Sequence, residues 1–504
     1  RVGIELVDVV RVRCGEGVMQ RIETLVLLVV LDSVRARNTS LHDHRRATTP
    51  ALDSLADRAT VYTQARAPDR WSLPSHVSML TGFAPPEHEV TQKGDRLVAG
   101  NSIFEDLADA GYATGVFSEN PFLTELETGI PQMFDTVEGK STEPLYPNAV
   151  DPHEFEGDIL RFLSAAVRSG KPLRAVLNGV TTKLAWDFPE LVPERIERKI
   201  SGGVSRGERY TDLFLEWERD QNGPWAACIN YMDAHHPYAP HDEYNTWADD
   251  TVASILDAIE TYPGDFYTRP EATWRCEIAE LLYDGTIRQV DAEVGRLVDS
   301  LQERNVLDDT LLVVTADHGE GFGEASRLRP IQIAGHAVGG HEVNLHVPLV
   351  VKYPGQRTSK QVTDPVSLMG FPEAVQAVRN GAGDGVSDLF VSDDPVVATG
   401  SEADAELIDH VQDAGRDPSA LEVDVEVVYE PGESGSVVKH MRWQDSNEAV
   451  RVFDARTTTP IDDTNGGVVE SVFDSLTPAG IAEDGQIDGV DHETMQRLEQ
   501  LGYR

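Results

Sequence analysis

The feature that most constrains the fold is a set of short apolar runs, each followed by an acidic side chain. These runs are Leu25–Leu31 before Asp32, Trp225–Met232 before Asp233, and Thr310–Thr315 before Ala316 and Asp317. Runs of this length, rich in Val, Ile and Leu, are typical of strands that are buried on both faces of a parallel sheet. The sequence therefore predicts parallel strands whose carboxyl ends present carboxylates.

Helical patterns separate these strands along the chain. Pro50 opens a predicted helix that continues over Ala51–Ala59, a second begins at Ser75 and runs to Leu80, and Ile278–Arg304 carries apolar residues at helical spacing. Alternating strands and helices predict an α/β fold with a mostly parallel central sheet flanked by helices. Ligands of such sheets bind beyond the carboxyl ends of the strands, where Asp32, Asp233 and Asp317 are expected.

Composition changes along the chain predict three regions. Residues 1–23 are expected to form an irregular N-terminal extension. The first 18 of them are expected to lie upstream of a natural start at Met19. Residues 24–385 are expected to form a catalytic domain with a helical insertion at about 150–220. Residues 386–504 contain acidic, Gly-rich turns between short strands at Glu422–Tyr429, Ser436–Trp443 and Ala449–Phe453, and a helical pattern at Glu493–Leu501. This last region is predicted to be a small antiparallel α+β subdomain.

The charge of the chain is extreme, with 43 Lys and Arg against 86 Asp and Glu, a net charge of −43. Such a surface repels nucleic acid and anionic membranes at ordinary salt. This charge indicates a protein of the salt-rich cytoplasm of a halophile. The screening length there falls to about 3 Å at 1 M salt, which weakens the repulsion between the acidic side chains. Three cysteines form no disulfide framework, and no apolar run is long enough to span a membrane. We therefore expect a cytoplasmic protein without a nucleic-acid partner or a membrane span.

Two strand ends carry candidate metal ligands. A carboxylate such as Asp32, taken alone, is at least as typical of a helix cap as of a metal ligand. Asp317 and His318 are more specific, because an acid and an imidazole that follow an apolar strand and precede a Gly-rich turn can bind one cation together. Oxygen ligands favour Ca²⁺, with Mg²⁺ and Mn²⁺ as alternatives.

In the segment Ser72-Leu-Pro-Ser-His-Val-Ser-Met-Leu-Thr-Gly82, a short loop leads into the helix predicted to begin at Ser75. Backbone N–H groups at a helix start favour an anionic ester, so Ser72 is a candidate nucleophile. A serine at this place can equally be a helix cap, and Ser75 is a rival nucleophile.

These segments together resemble the sulfatase family of the alkaline phosphatase superfamily, in a haloarchaeal-type member. The resemblance rests on the Ser72–Gly82 segment, on Tyr231-Met-Asp-Ala-His-His-Pro-Tyr238, on the strand that ends in Asp317-His318, and on Gly335-His336 before His346-Val-Pro. It implies one divalent cation held by Asp32, Asp317 and His318. It also implies Ser72 at the nucleophile position, which relatives convert to formylglycine, with His235 near the leaving group and His336 binding the anionic group.

The sequence departs from the family at several places, among them Ala325, where many relatives have His. Ser33 follows Asp32 where the family has a second Asp, and His76 stands where the family has Arg. Asn120 lies where the family has a cationic Lys-x-His stretch, so we predict that it donates a hydrogen bond to the substrate.

The predicted function is metal-dependent hydrolysis of a sulfate ester of a small molecule, glycan or lipid. A phosphodiesterase, or a transferase of phosphoryl or phosphoglycerol groups, is the alternative, because an unmodified serine suits phosphoryl transfer. A non-catalytic binding relative is the third reading.

Overall fold

The structure, a computed structural model, describes residues 24–139, 144–146, 148–155, 159–187, 192, 207–248, 267, 273–329, 331–382, 388–401, 403, 405–422, 424–462, 467–485, 494 and 498. The central sheet contains β1 Leu25–Leu31, β2 Thr60–Tyr62, β3 Ala113–Ser118, β4 Thr136–Glu138, β5 Trp225–Tyr231, β6 Thr310–Thr315, β7 Leu349–Lys352 and β8 Lys360–Val362. A second sheet contains β9 Val396–Gly400, β10 Val425–Pro431, β11 Val437–Trp443, β12 Ser446–Val452 and β13 Thr458–Pro460.

The helices of the described residues, in chain order, are α1 Pro50–Ala56, α2 Ser72–Thr81, α3 Pro85–His88, α4 Ile103–Asp109, α5 Pro121–Thr124, α6 Ile159–Arg168, α7 Pro172–Asp187, α8 Gly207–Asp220, α9 Thr273–Glu303, α10 Glu342–Leu345, α11 Phe371–Arg379, α12 Ala405–Asp413 and α13 Gly467–Phe473.

The central sheet has the strand order β8-β2-β7-β6-β1-β5-β3-β4. Strand β7 pairs antiparallel with both of its neighbours, while the other pairs of adjacent strands are parallel. Strand β1 lies in the middle, with Val26 opposite Ala226 on one side and Leu311 on the other. The predicted α/β class with a mostly parallel sheet is confirmed.

Burial explains why the central strands are so apolar. Residues Val26–Leu31 and all of β5 and β6 are buried. Helices cover both faces, so side chains that alternate along a strand all meet apolar surface. The long helix α9 packs its buried stripe, which includes Ile287, Val290 and Val294, into the same core.

The predicted helices exist with shifted ends. Helix α1 ends at Ala56 instead of Ala59, and α2 begins at Ser72, three residues before the predicted start. The predicted strands of the C-terminal region correspond to β10, β11 and β12 in an antiparallel sheet, to which β9 adds an unpredicted edge strand. The extension 1–23, and nearly all of the helix predicted near Glu493–Leu501, lie outside the described residues. The domain boundaries stay predictions.

A buried ion cluster joins the second sheet to α10 and Arg66. The carboxylate of Glu342, on α10, lies 2.9 Å from Arg66 Nη2 and 2.9 Å from Lys439 Nζ. Tyr429 donates a hydrogen bond of 2.7 Å to the same carboxylate. Because Lys439 and Tyr429 lie on β11 and β10, this cluster holds the second sheet against α10.

Among the helices of the described residues, none combines the length and the apolar character that crossing a lipid bilayer requires.

Candidate active site

Two acids and a histidine meet at the carboxyl edge of the central sheet. Asp32 follows β1, and Asp317 and His318 follow the neighbouring strand β6, so the parallel register brings them together. One ligand atom from each residue lies within 4.8 Å of the other two. All three side chains are fully buried. The structure thus assembles the three residues that the sequence singled out as metal ligands.

Ser33 holds both carboxylates in place. This residue adopts the left-handed region, with φ of 64°. Its backbone N–H donates to Asp317 Oδ1 at 3.2 Å, and its hydroxyl donates to Asp32 Oδ1 at 3.0 Å. The hydroxyl at this position therefore orients the neighbouring acid.

The tautomer of His318 follows from its partners. Its Nδ1 lies 2.9 Å from the Gly319 carbonyl oxygen, which can only accept, so Nδ1 carries the hydrogen. Nε2 faces the acids, 3.6 Å from Asp317 Oδ2 and 3.9 Å from Asp32 Oδ1. Burial lowers the pKa of His318, but Asp317 and Asp32 together raise it above its ordinary value. Conversely, burial raises the pKa of Asp317, while His318 and His76 bring it below its ordinary value.

Ser72 begins α2 and points to this cluster. Its Oγ lies 3.4 Å from Asp32 Oδ2 and 3.5 Å from His318 Nε2. Ser75, one turn further on, is engaged elsewhere, because its hydroxyl accepts from the Asp69 N–H at 3.2 Å and donates to the Asp69 carbonyl at 3.1 Å. The helix therefore places Ser72 at the acids and ties Ser75 to the preceding loop.

His76 lies on the same face of α2 as Ser72. Its Nδ1 donates to the Ser72 carbonyl oxygen at 2.8 Å and lies 3.7 Å from Asp317 Oδ2. Its Nε2 is buried and has no hydrogen-bond partner among the described residues. Because Nδ1 carries the hydrogen of the neutral ring, Nε2 can donate to an anionic ligand only when the ring is doubly protonated.

A row of histidines continues from His318. The ring centroid of His336 lies 4.5 Å from that of His318 and 5.2 Å from that of His235. His235 donates from Nδ1 to the His236 carbonyl at 2.8 Å, which directs Nε2 the other way. His235 and His336 are thus brought to the same site as Ser72 and His76.

Glu320 is the acid that faces this row. The hairpin Gly321–Ala325/Gln332–Gly335 pairs Gly321 with Gly335, which brings Glu320 and His336 together at its open end. His336 Nδ1 lies 3.4 Å from Glu320 Oε1. Burial opposes ionisation of Glu320, but His336, His235 and His318 lower its pKa to about 2. Burial lowers the pKa of His336, against the opposing charge of Glu320.

Two asparagine amides complete the surroundings of Asp32. Asn120 and Asn230 each donate from Nδ2 to Asp32 Oδ2 at 3.2 Å. Asn120 also caps α5, since its Oδ1 accepts from the Phe122 N–H at 3.1 Å. The predicted contact of Asn120 with substrate stays a prediction.

Glu320, Asn230 and the orienting role of Ser33 were missed by the sequence analysis. Glu320 follows Asp317-His318-Gly319, and an acid so close to a predicted ligand pair was the available signal. Asn230 is a polar residue near the end of an otherwise apolar strand, which is a weaker signal.

Comparisons with known proteins show which proteins this chain is similar to. The profile of the family described as Sulfatase matches residues 24–377. Arylsulfatase K of Mus musculus is 25% identical over 207 residues, which cover 36% of this chain and 35% of that protein. Iduronate 2-sulfatase of Homo sapiens is 21% identical over 373 residues, covering 66% of this chain and 60% of that protein. The match thus spans about a third of the length of arylsulfatase K and about three fifths of the length of iduronate 2-sulfatase.

A further relative and two solved structures extend the comparison. The multifunctional alkaline phosphatase superfamily protein PehA of Trinickia caryophylli is 33% identical over 376 residues, which cover 66% of each chain. The phosphonate monoester hydrolases of Agrobacterium radiobacter and Silicibacter pomeroyi have TM-scores of 0.57 and 0.56, each at 17% identity over 90% of this chain, covering 94% and 93% of theirs. At that identity they show a shared fold. Because the Sulfatase profile covers well over half of its length, this chain belongs to the sulfatase family of the alkaline phosphatase superfamily.

Proposed function

We propose that this protein hydrolyses a sulfate ester, with Ser72 at the nucleophile position. The observation that carries the proposal is the position of Ser72 Oγ, 3.4 Å from Asp32 Oδ2 and 3.5 Å from His318 Nε2 at the start of a helix. A hydroxyl placed against an acid and an imidazole at the start of a helix suits attack on an anionic ester.

The chemistry of Asp32, Asp317 and His318 fits a divalent cation. Among the described residues, the recorded partners of the two buried carboxylates are hydroxyl, amide and imidazole groups, with no Lys or Arg. Adjacent buried carboxylates require compensating positive charge, and oxygen ligands with one imidazole suit Ca²⁺, Mg²⁺ or Mn²⁺. A bound cation would lower the pKa of a nearby hydroxyl and neutralise an ester oxygen.

The side chains around Ser72 supply the remaining functions. The hydroxyl of Ser72, or of its formylglycine hydrate, passes its proton to Asp32 Oδ2 and forms a bond to sulfur. The bond from sulfur to the leaving oxygen breaks, and that oxygen takes a proton from His235. In their doubly protonated form, His76 and His336 would donate hydrogen bonds to the equatorial oxygens as charge develops there. Asn230 and Ser33 keep Asp32 oriented throughout, through the hydrogen bonds described above.

The chemical form of residue 72 decides how the covalent ester is released. Sulfatases of this family carry formylglycine, whose hydrate expels sulfate by collapsing to the aldehyde. A serine ester must be attacked by water instead. An unmodified Ser72 therefore favours the second candidate, a phosphodiesterase or a transferase of phosphoryl or phosphoglycerol groups.

An ester panel tests both candidates. Purified protein is assayed in about molar KCl with aryl sulfates, phosphomonoesters and phosphodiesters, and the peptide that contains Ser72 is analysed by mass spectrometry. We expect sulfate-ester turnover, with an aldehyde at residue 72. Phosphoester turnover with an intact serine would replace the first candidate by the second. No turnover of any ester by metal-loaded protein would support a non-catalytic relative.

We also propose a salt-rich cytoplasm as the location, supported by the net charge of −43, and an ester of a small molecule, glycan or lipid as the substrate class.

A further inference from the structure

Helices α6 and α7 expose large apolar side chains. The exposed ones within Ile159–Leu184 are Ile159 (59%), Leu160 (81%), Leu163 (41%), Val167 (73%), Leu173 (81%), Val176 (39%), Leu177 (44%), Val180 (48%) and Leu184 (38%). Only three other large apolar side chains of the described residues are similarly exposed, namely Trp274, Val391 and Phe453. The apolar surface of this hairpin is therefore a local property of two helices.

The apolar side chains of α7 form one stripe that faces outward. Leu173, Val176, Leu177, Val180 and Leu184 recur at a spacing of three or four residues, so they share one face. The opposite face is buried and carries small or polar residues, among them Ala175, Asn178 and Thr182. Asn178 is fixed there by hydrogen bonds to the backbone of Tyr146 and Val150. The helix thus turns outward the face that a helix of a globular protein normally turns inward.

The charge of the same segment is opposite to that of the chain. Residues 159–186 contain Arg161, Arg168, Lys171, Arg174 and Lys183 and no Asp or Glu, whereas the whole chain carries −43. All five basic side chains are exposed. On α7, Arg174 and Lys183 lie on either side of the apolar stripe. This arrangement allows their long stems to cover apolar surface while the charged ends reach outward.

We infer that the α6–α7 hairpin docks on the surface of a bilayer that contains anionic lipids. Such a surface supplies negative charge to the flanking basic residues and an apolar interior to the stripe, which is how amphipathic helices lie in a membrane interface. A second copy fits less well. Facing hairpins would bring like charges together, and the rest of the described surface offers few exposed apolar side chains to match the stripe.

This docking is the local exception to the repulsion that the acidic composition predicts. The hairpin packs on its own small cluster, with Phe162, Ala166 and Ala175 buried against Ala149 and Phe155. It therefore does not depend on the core that carries Ser72, and docking is independent of the proposed reaction.

Vesicle sedimentation with the full chain tests this docking. Vesicles of phosphatidylglycerol and of phosphatidylcholine are compared at the lowest KCl concentration in which circular dichroism shows the native fold. We expect the protein to partition at least about tenfold more strongly to the anionic vesicles.

Two double variants separate the contribution of the apolar side chains from that of the basic side chains. Leu160→Glu/Leu173→Glu should lower partitioning at least about tenfold, because both side chains are 81% exposed and both would enter the interface. Arg174→Glu/Lys183→Glu should remove the preference for anionic vesicles. Val391→Glu is the matched control, exposed at 37% and outside the hairpin, and should bind as the parent does.

Three results would overturn the inference. These are equal sedimentation with and without vesicles, unchanged partitioning of the Leu160→Glu/Leu173→Glu variant, or a change confined to oligomeric state in size-exclusion chromatography. Hydrolysis of a soluble ester should be the same in all these variants, so a failure of docking is distinguishable from a failure of the proposed function.

Discussion

Ser72 and Ser75 lie three residues apart on α2 but contact different groups, which separates the proposed nucleophile from a residue that supports the structure. Ser72→Ala should abolish turnover, because it removes the only hydroxyl of the helix placed at Asp32. Ser75→Ala should keep most of the turnover and lower the free energy of unfolding by about 1 kcal/mol, because it removes hydrogen bonds to the Asp69 backbone. Steady-state kinetics and chemical denaturation measure the two effects. Peptide mapping of a trapped covalent intermediate that placed the label on Ser75 would contradict the assignment.

The proposed metal site leads to a second prediction about a single residue. Asp317→Ala should remove the bound divalent cation and all activity while circular dichroism stays native, because the mutation leaves the sheet intact and deletes one ligand. Asp291→Asn is a matched control, since Asp291 is also buried but accepts hydrogen bonds from the N–H groups of Ala51 and Leu52. Elemental analysis of the two dialysed proteins decides the point, and equal metal content in both would count against the site.

Single residues of the site were predictable to different degrees. The positions of Asp32, Asp317 and His318 at one edge of the sheet could be predicted because adjacent parallel strands end at one edge. Their assignment to one metal site came from the family resemblance. Glu320 could not be assigned a role, because its meeting with His336 depends on the register of a hairpin whose Gly-rich sequence shows no alternation. Ser33 was noted as a missing acid, and its orienting hydrogen bonds depend on a backbone conformation that the sequence does not mark.

At the scale of elements, the ion cluster at Glu342 supports the contact between α10 and the second sheet. Glu342→Gln should lower the free energy of unfolding by about 3–5 kcal/mol, because it leaves Arg66 and Lys439 buried without a counter-charge. Glu426→Gln is the control, because Glu426 pairs with Arg442 in a half-exposed position, where an ion pair contributes less than about 1 kcal/mol. Similar denaturation midpoints for both variants would show that the cluster contributes little.

The same cluster gives the stability a pH dependence. Burial opposes the ionisation of Glu342, but Arg66 and Lys439 hold its pKa well below the ordinary value of about 4.3. A carboxyl group whose pKa is lowered by folding stabilises the native state fully above its unfolded pKa and progressively less below it. The difference in unfolding free energy between the parent and Glu342→Gln should therefore be constant above about pH 5 and shrink as the pH falls further.

Whether a segment forms a helix or a strand was easier to predict than where it begins and ends or which strand it pairs with. The β-branched runs of β1 and β6 identified their strands, whereas the start of α2 at Ser72 was missed because Pro74 suggested a later beginning. The antiparallel direction of β7 depends on the short connection from α10, which local sequence does not define.

At the scale of the molecule, the net charge of −43 dominates the dependence on salt. The thermal midpoint should rise steeply between about 0.1 and 2 M KCl, because the screening length falls from about 10 Å to below about 3 Å and mutual repulsion is suppressed. Sucrose at equal osmolality is the control, since it favours compact states by exclusion without screening charge. A midpoint that rises equally in sucrose, or not at all in KCl, would argue against charge repulsion as the cause.

The central position of β1 has a consequence for how the chain is made. Among the strands of the central sheet, β1 is the first to leave the ribosome. Its two neighbours in the sheet are synthesised much later, because they begin at Trp225 and Thr310. Translation at about 5–20 residues per second therefore separates the synthesis of β1 from that of β6 by roughly 15 to 60 s. Throughout that interval Leu25–Leu31 is an apolar segment with an unpaired edge. The nascent chain therefore depends on chaperones until its own core can form.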